Sequence, residues 1–277
     1  MSLIPWRQLS RPFRHYLALS LIRIVWLASF CVSARIWSKL GERFGELVGY
    51  FHPKSSELDR RLKSLDLEKP VAVSLFWRDL GRRAFEALRL HRTSESVIIN
   101  HTPLSMLKEI DQRPVGTLIL LPHFGHWEAM GAALVRYGFA FSAISTLGKK
   151  DLLNRWIQKE RHRNGLRVID THHAAPRIVR QLSAGDNVAM FMDVPNKARG
   201  YSLPFLGRDV SRSTIANRLV ALTGCSCVFV YNLRSQDGRY HVHVEEIPND
   251  VDVIKWSHER LEALISQHAE QWLWLLE

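Results

Sequence analysis

The hydrophobic pattern of the chain has three successive characters. Leu17 to Val32 is a nearly unbroken apolar run in which Arg23 is the only charge, and the helical spacing continues through Ile36, Trp37 and Leu40. From about residue 55 to 92, Leu75, Leu80, Phe85 and Leu88 recur between Arg78, Asp79, Arg82, Arg83 and Glu86, which predicts helix. Beyond that, short apolar runs alternate with amphipathic stretches. Thr117–Leu121, Phe139–Thr146, Leu166–Ile169 and Asn187–Asp193 read as strands. Trp127–Tyr137, Asp151–Asn164, Ala174–Ser183 and Ser213–Thr223 read as helices, and each has a glycine just past its end. Cys225–Leu233 and Tyr240–Ile247 read as an antiparallel hairpin around Asp237-Gly238, and Lys255–Leu275 as a last amphipathic helix. Strands alternating with helices predict an α/β layered fold with a largely parallel or mixed sheet flanked by helices.

The simplest partition is an N-terminal segment, 1–45, and a single domain, 46–277. As a helix, Leu17–Val32 reaches roughly 24 Å, short of the roughly 30 Å bilayer core. Basic residues flank it on both sides, so charge gives no orientation. No small-x-small cleavage site follows, which disfavours a signal peptide. The segment reads as a membrane anchor or interfacial helix in preference to a buried hairpin helix.

Charge then narrows the partners. Thirty-eight Lys and Arg against 27 Asp and Glu leave a formal charge of +11, which suits nucleic acid, an anionic membrane surface or an acidic carrier protein. Zinc-finger spacing, an aromatic RNA-binding strand and a basic low-complexity arm are all missing from the sequence. Several Trp residues stand beside Arg or Lys (Trp6-Arg7, Trp77-Arg78, Arg155-Trp156, Lys255-Trp256), a pattern suited to a water–lipid boundary. Membrane or carrier is therefore expected and nucleic acid is not, although a non-enzymatic basic protein binding either stays open as the rival reading. Cys31, Cys225 and Cys227 are too few and odd in number for a disulfide framework, which points to a reducing compartment, and Cys225-Ser226-Cys227 lacks a second ligand pair for zinc, so those two are expected as buried thiols in a strand.

The candidate chemistry sits where strand Leu118–Leu121 runs out into Pro122-His123-Phe124-Gly125-His126-Trp127-Glu128 and a helix begins. Sites in such sheets lie beyond the carboxyl ends of strands. An imidazole there can take a proton from a hydroxyl near neutral pH, and a carboxylate can hold its tautomer. His123 and Glu128 are the candidate pair. The same spacing at His241 and Glu246 falls in a period-two strand, so those side chains point to opposite faces and cannot pair. His126 has no carboxylate at that spacing and reads as helix-facing or substrate-lining. His172-His173 reads as capping or surface. No Gly-x-Ser-x-Gly elbow marks a serine hydrolase.

These blocks carry a resemblance. LPHFGHWEAMG is similar to the catalytic block of the bacterial lipid A late acyltransferases, the lauroyl/myristoyl acyltransferase family of glycerolipid acyltransferase-like fold, whose relatives include mannoside acyltransferases. Arg161 followed by Gly165 resembles the family's Arg-x3-Gly element. Asp193 and the later Gly200-Tyr-Ser-Leu-Pro-Phe-Leu-Gly207 resemble its acidic residue and Pro-Phe-x-Gly turn, although Val194 stands where Gln or Asn commonly follows the acidic residue. Ser213-Thr214 to Gly224 resembles the helix that follows, and Gln271-Trp272-Leu273-Trp274 the C-terminal signature. The blocks are collinear over roughly residues 70–275. The resemblance implies acyl transfer from acyl carrier protein, or another acyl thioester, to a hydroxyl of a lipid A precursor or other glycolipid, at the cytoplasmic side of a bacterial inner membrane. It implies neither metal nor organic cofactor, because the thioester supplies the energy. His123 is then expected to act as base with Glu128 orienting it. Phe124 and Gly125 backbone N–H groups, or Arg161 with Asp193 as its partner, are expected to hold the oxyanion.

Overall fold

The computed structural model describes residues 29–145, 152–172, 174–196 and 201–276, together with Tyr16, Ser20, Ile24, Trp26 and Leu27. Those five and Ser29 are helical, but the Leu17–Val32 run lies mostly outside the described residues. Among the described residues no helix is long and apolar enough to cross a membrane.

The helices are α1 (Ala34–Phe51), α2 (Ser55–Lys63), α3 (Val73–Ala87), α4 (Leu90–Glu95), α5 (His101–Asp111), α6 (Trp127–Arg136), α7 (Leu152–Arg163), α8 (Ala174–Ser183), α9 (Ile215–Thr223) and α10 (Val253–His268). The strands are β1 (Val97–Ile98), β2 (Leu118–Leu121), β3 (Phe141–Ser145), β4 (Arg167–Asp170), β5 (Asn187–Phe191), β6 (Tyr201–Phe205), β7 (Arg208–Arg212), β8 (Cys227–Arg234) and β9 (Tyr240–Ile247). Seven strands form one sheet in the order β1-β9-β8-β2-β5-β3-β4. All its pairings are parallel except β8–β9. This is the mixed, helix-flanked α/β sheet that the alternation predicts.

Period-two alternation divides the core between the two faces. Leu118 and Leu120 of β2 and Phe229 of β8 join Ile178, Leu219 and Leu261 from α8, α9 and α10. Ile119 and Val228 point the other way, to Ile110 of α5 and Met130 and Ala133 of α6. The central strands are buried on both sides, which explains why their sequences are continuous apolar runs rather than alternating ones.

Three expectations are revised. The helical stretch 55–92 is three helices, parted at residues 64–72, which include Pro70, and again at Leu88–Arg89. The last helix stops at His268, and two 3-10 turns (Ala269–Gln271 and Trp274–Leu276) flank a segment that doubles back to the site. A two-stranded sheet, β6–β7, occupies the segment read only as a Pro-Phe-x-Gly turn.

The residue 45/46 boundary falls inside α1, which packs on α3 backbone to backbone. Gly41, Gly45 and Gly49 are buried along one face. A Cβ at Gly45 would lie 2.8 Å from Gly81 Cα and overlap the Trp77 carbonyl oxygen outright. On another face of α1, Ile36, Leu40, Phe44, Leu47 and Phe51 are exposed.

Candidate active site

Strands β2 and β5 are parallel neighbours in the register Leu121↔Phe191. Two residues beyond each strand end, the chains carry His123 and Asp193, so the register itself brings imidazole and carboxylate together. His123 Nδ1 and Asp193 Oδ1 are 2.8 Å apart. The His123 backbone N–H donates to Asp193 Oδ2 at 2.8 Å, and the Trp272 indole Nε1–H donates to the same oxygen at 3.0 Å. Asp193 is fully buried. Burial alone would raise its pKa, but the hydrogen bonds from the His123 ring, Trp272 and the His123 backbone outweigh that and hold it below the usual carboxylate value. An ionised Asp193 accepts from Nδ1–H and leaves Nε2 as the ring's basic nitrogen. The ring stacks on Phe191 at 3.7 Å between centroids, with Trp127 edge-on at 5.2 Å, and 14% of the side chain stays exposed.

The expected His123–Glu128 pairing is therefore replaced. Glu128, in the first turn of α6, binds Arg161 of α7 through both oxygens, at 3.0 Å to Nε and 2.5 Å to a terminal nitrogen. Arg161 also donates to Ser145 Oγ at 2.8 Å. Burial works against the Arg161 charge, but the Glu128 hydrogen bonds and charge overcome it and raise the pKa. Asp193, expected to partner Arg161, instead partners His123. The sequence reading named these four residues and crossed their pairings.

A close-fitting loop holds these groups. Leu273 N–H donates to the His123 carbonyl and Gly125 N–H to the Gln271 carbonyl, at 3.0 and 2.9 Å. The late segment 271–273 thus lies antiparallel along 123–125, bridging Phe124 to Trp272. The Gly125 N–H, expected as an oxyanion donor, is committed there. Gly125 has φ +60, and a Cβ would overlap the carbonyl and side-chain oxygens of Asn232, so the position needs glycine on two counts. Asn232 Oδ1 also accepts from the His126 N–H at 2.9 Å, and Arg83, ion-paired to Asp79 at 2.6 Å, donates to the Gly125 carbonyl at 2.8 Å. His126 caps α6, its Nδ1 accepting from Ala129 N–H at 3.3 Å. Burial, then the neighbouring Arg83 charge, pushes its pKa down to about 3. It is a neutral structural histidine.

An apolar cavity of about 240 Å³ opens beside Glu128, lined by Leu80, Ala84, Ala87, Leu90, Trp127 and Ile157 among others. Elsewhere, His172 is exposed and its backbone N–H donates to Asp170, while His173 lies outside the described residues. His241 and Glu246 sit in β9, where Glu246 pairs with Arg113. Cys225 and Cys227 are buried free thiols. Among the described residues no three His, Cys, Asp or Glu side chains gather as metal ligands would.

A family model described as bacterial lipid A biosynthesis acyltransferase matches residues 7–277. The chain belongs to that family. The resemblance seen in the separate motifs thus extends over nearly the whole sequence, and the chain is an acyltransferase of lipid A biosynthesis type. No curated protein matches it. Sequence reasoning did not anticipate Trp272, Asn232 or Arg83 in the candidate site. Only Trp272 left a signal, as part of the Gln-Trp-x-Trp signature.

Proposed function

We propose that this acyltransferase moves a fatty acyl group from acyl carrier protein to a hydroxyl of a lipid A precursor or closely related glycolipid, with His123 as general base. The observation that carries the reading is the Asp193–His123 hydrogen bond, which sets the tautomer a base requires. His123 Nε2 takes the acceptor's hydroxyl proton as the oxygen attacks the thioester carbonyl. The C–S bond then breaks, and the thiolate leaves and recovers the proton from the imidazolium. Arg161, held by Glu128, is the candidate for stabilising the oxyanion, and the apolar cavity beside them suits the acyl chain. The +11 charge suits an acidic carrier, and with the exposed stripe of α1 it supports work at the cytoplasmic face of the inner membrane.

The test uses full-length protein with acyl carrier protein or coenzyme A thioesters and a lipid A precursor, with products read by mass spectrometry. Transfer should be faster from the carrier thioester and should vanish in folded His123→Ala. Undiminished transfer by that variant would end the proposal.

A further inference from the structure

A second cleft, of about 620 Å³, shares no lining residue with the apolar cavity. It opens on a different face of α3. Leu80, Ala84 and Ala87 line the apolar cavity, whereas Glu86 and the following Arg89 line this one. Six cations line it: Arg239, which pairs with Asp237 of the same cleft, and five more, Arg35 and Lys39 from α1, Arg89 and Arg92 flanking and within α4, and Arg234 at the end of β8.

None of the three carboxylates of the cleft pairs with those five. Glu86 accepts from Ser38 and Tyr240, both at 2.6 Å. Glu42 pairs with Arg78 and Arg82 at 3.4 and 3.2 Å, and Asp237 with Arg239 at 3.8 Å. Among the described residues none of the five cations is within ion-pair distance of a carboxylate. Arg89 is only 5% exposed; it donates to the Val32 carbonyl, yet its Nε is buried without a partner, as is Arg234 Nε. Arg89 and Arg92 both lie over the Phe30 ring, at 5.8 and 5.3 Å. Two guanidinium groups held on one ring, one of them desolvated, repel each other until an anion sits between them. In keeping with this, burial and then the Arg92 charge lower the Arg89 pKa.

The faces of α1 indicate where the anion comes from. The glycine face packs on α3, Arg35 and Lys39 border the cleft, and Ile36, Leu40, Phe44, Leu47 and Phe51 form a stripe that is 47–74% exposed. A soluble anion has no use for that stripe, and a nucleic acid would desolvate its phosphates against it. A lipid satisfies both surfaces at once.

We infer that the cleft binds the phosphate of an anionic membrane lipid, whose acyl chains run beside the exposed stripe of α1. The inference does not require acyl transfer and stands or falls apart from the catalytic reading.

The experiment is flotation of the full chain with vesicles of phosphatidylcholine alone and vesicles in which a third of the lipid is phosphatidylglycerol. The native chain should prefer the anionic vesicles. The triple variant Arg35→Ala, Lys39→Ala, Arg92→Ala removes exposed side chains only, and an unchanged thermal melt would confirm its fold. At about fivefold per basic residue, it should bind anionic vesicles roughly a hundredfold more weakly. Lys108→Ala, Arg208→Ala, Lys255→Ala, with the same change of charge elsewhere on the surface, should lose far less. Equal losses in the two triple variants, or no anionic preference in the native chain, would overturn the inference. So would retention of inorganic phosphate by a chain indifferent to vesicle charge, which would make the site one for a soluble anion. The single variant Arg92→Glu should reproduce the direction of the loss.

Discussion

Asp193→Asn separates the two pairings that the sequence confuses. Asp193 Oδ2 faces two donors, the His123 backbone N–H and the Trp272 indole, whereas Oδ1 faces only His123 Nδ1. The asparagine carbonyl oxygen will therefore keep the Oδ2 position, and the amide NH₂ will face Nδ1. His123 must then accept at Nδ1 and carry its proton on Nε2, the wrong tautomer for a base. All three hydrogen bonds survive, and a buried charge disappears, so the melting temperature should hardly move. Catalysis should fall by about 10³–10⁴, as such a swap does in a serine-protease triad, or about 4–5.5 kcal/mol of transition-state stabilisation. The assay is single-turnover transfer from the acyl thioester, with the His123 tautomer read by ¹⁵N NMR. Activity of the Asp193→Asn variant within tenfold of the native rate, or a ring that keeps its proton on Nδ1, would refute the reasoning.

Other outcomes follow from the same geometry. Arg161→Ala should lower kcat by about 10²–10³ if it supports the oxyanion. Glu128→Gln should lower it less and leave the His123 tautomer unchanged, and the double variant should cost less than the two losses combined; simple additivity would argue against a working pair. Gly45→Ala forces α1 away from α3 and should destabilise by about 1–3 kcal/mol or more, seen as a lower urea midpoint; a native midpoint would mean the helices separate freely. His126 and His258 are held neutral chiefly by burial, with pKa values pushed down to about 3 and about 4. The unfolded chain protonates them below about pH 6.5 and the folded chain does not, so stability should drop as pH falls from 6.5 toward 4, approaching about 1.4 kcal/mol per pH unit for each. A urea midpoint that stays flat between pH 7.5 and 5 would contradict this.

Much of the frame is legible from periodicity because the central strands are buried on both faces and their helices end at glycines. Other parts leave no local trace. The strands of hairpin β6–β7 are one such part, although its Pro-Phe-x-Gly turn is matched by the family resemblance; that turn passes through Leu206 at φ +50 and Gly207. A leucine in that conformation gives no turn signal, and it is held by contacts from α2 and α10, with Arg61 donating to its carbonyl at 2.6 Å and Glu262 accepting its N–H. Helix α5 carries Pro103 in its first turn, where proline is tolerated although it reads as a breaker. At the site, a five-residue spacing made Glu128 the natural partner of His123. The true partner, Asp193, is set by the register of two strands distant in sequence, and two apolar runs that each reach a polar residue two positions past their end were the clue to it.

The strand-like contact of residues 271–273 with the histidine loop ties the loop to a segment remote in sequence. With that segment displaced, Asp193 would lose its indole donor, and the His123 carbonyl and Gly125 N–H would lose their backbone partners. The candidate site is thus built as much by residues 271–273 as by the two strand ends that carry its histidine and aspartate.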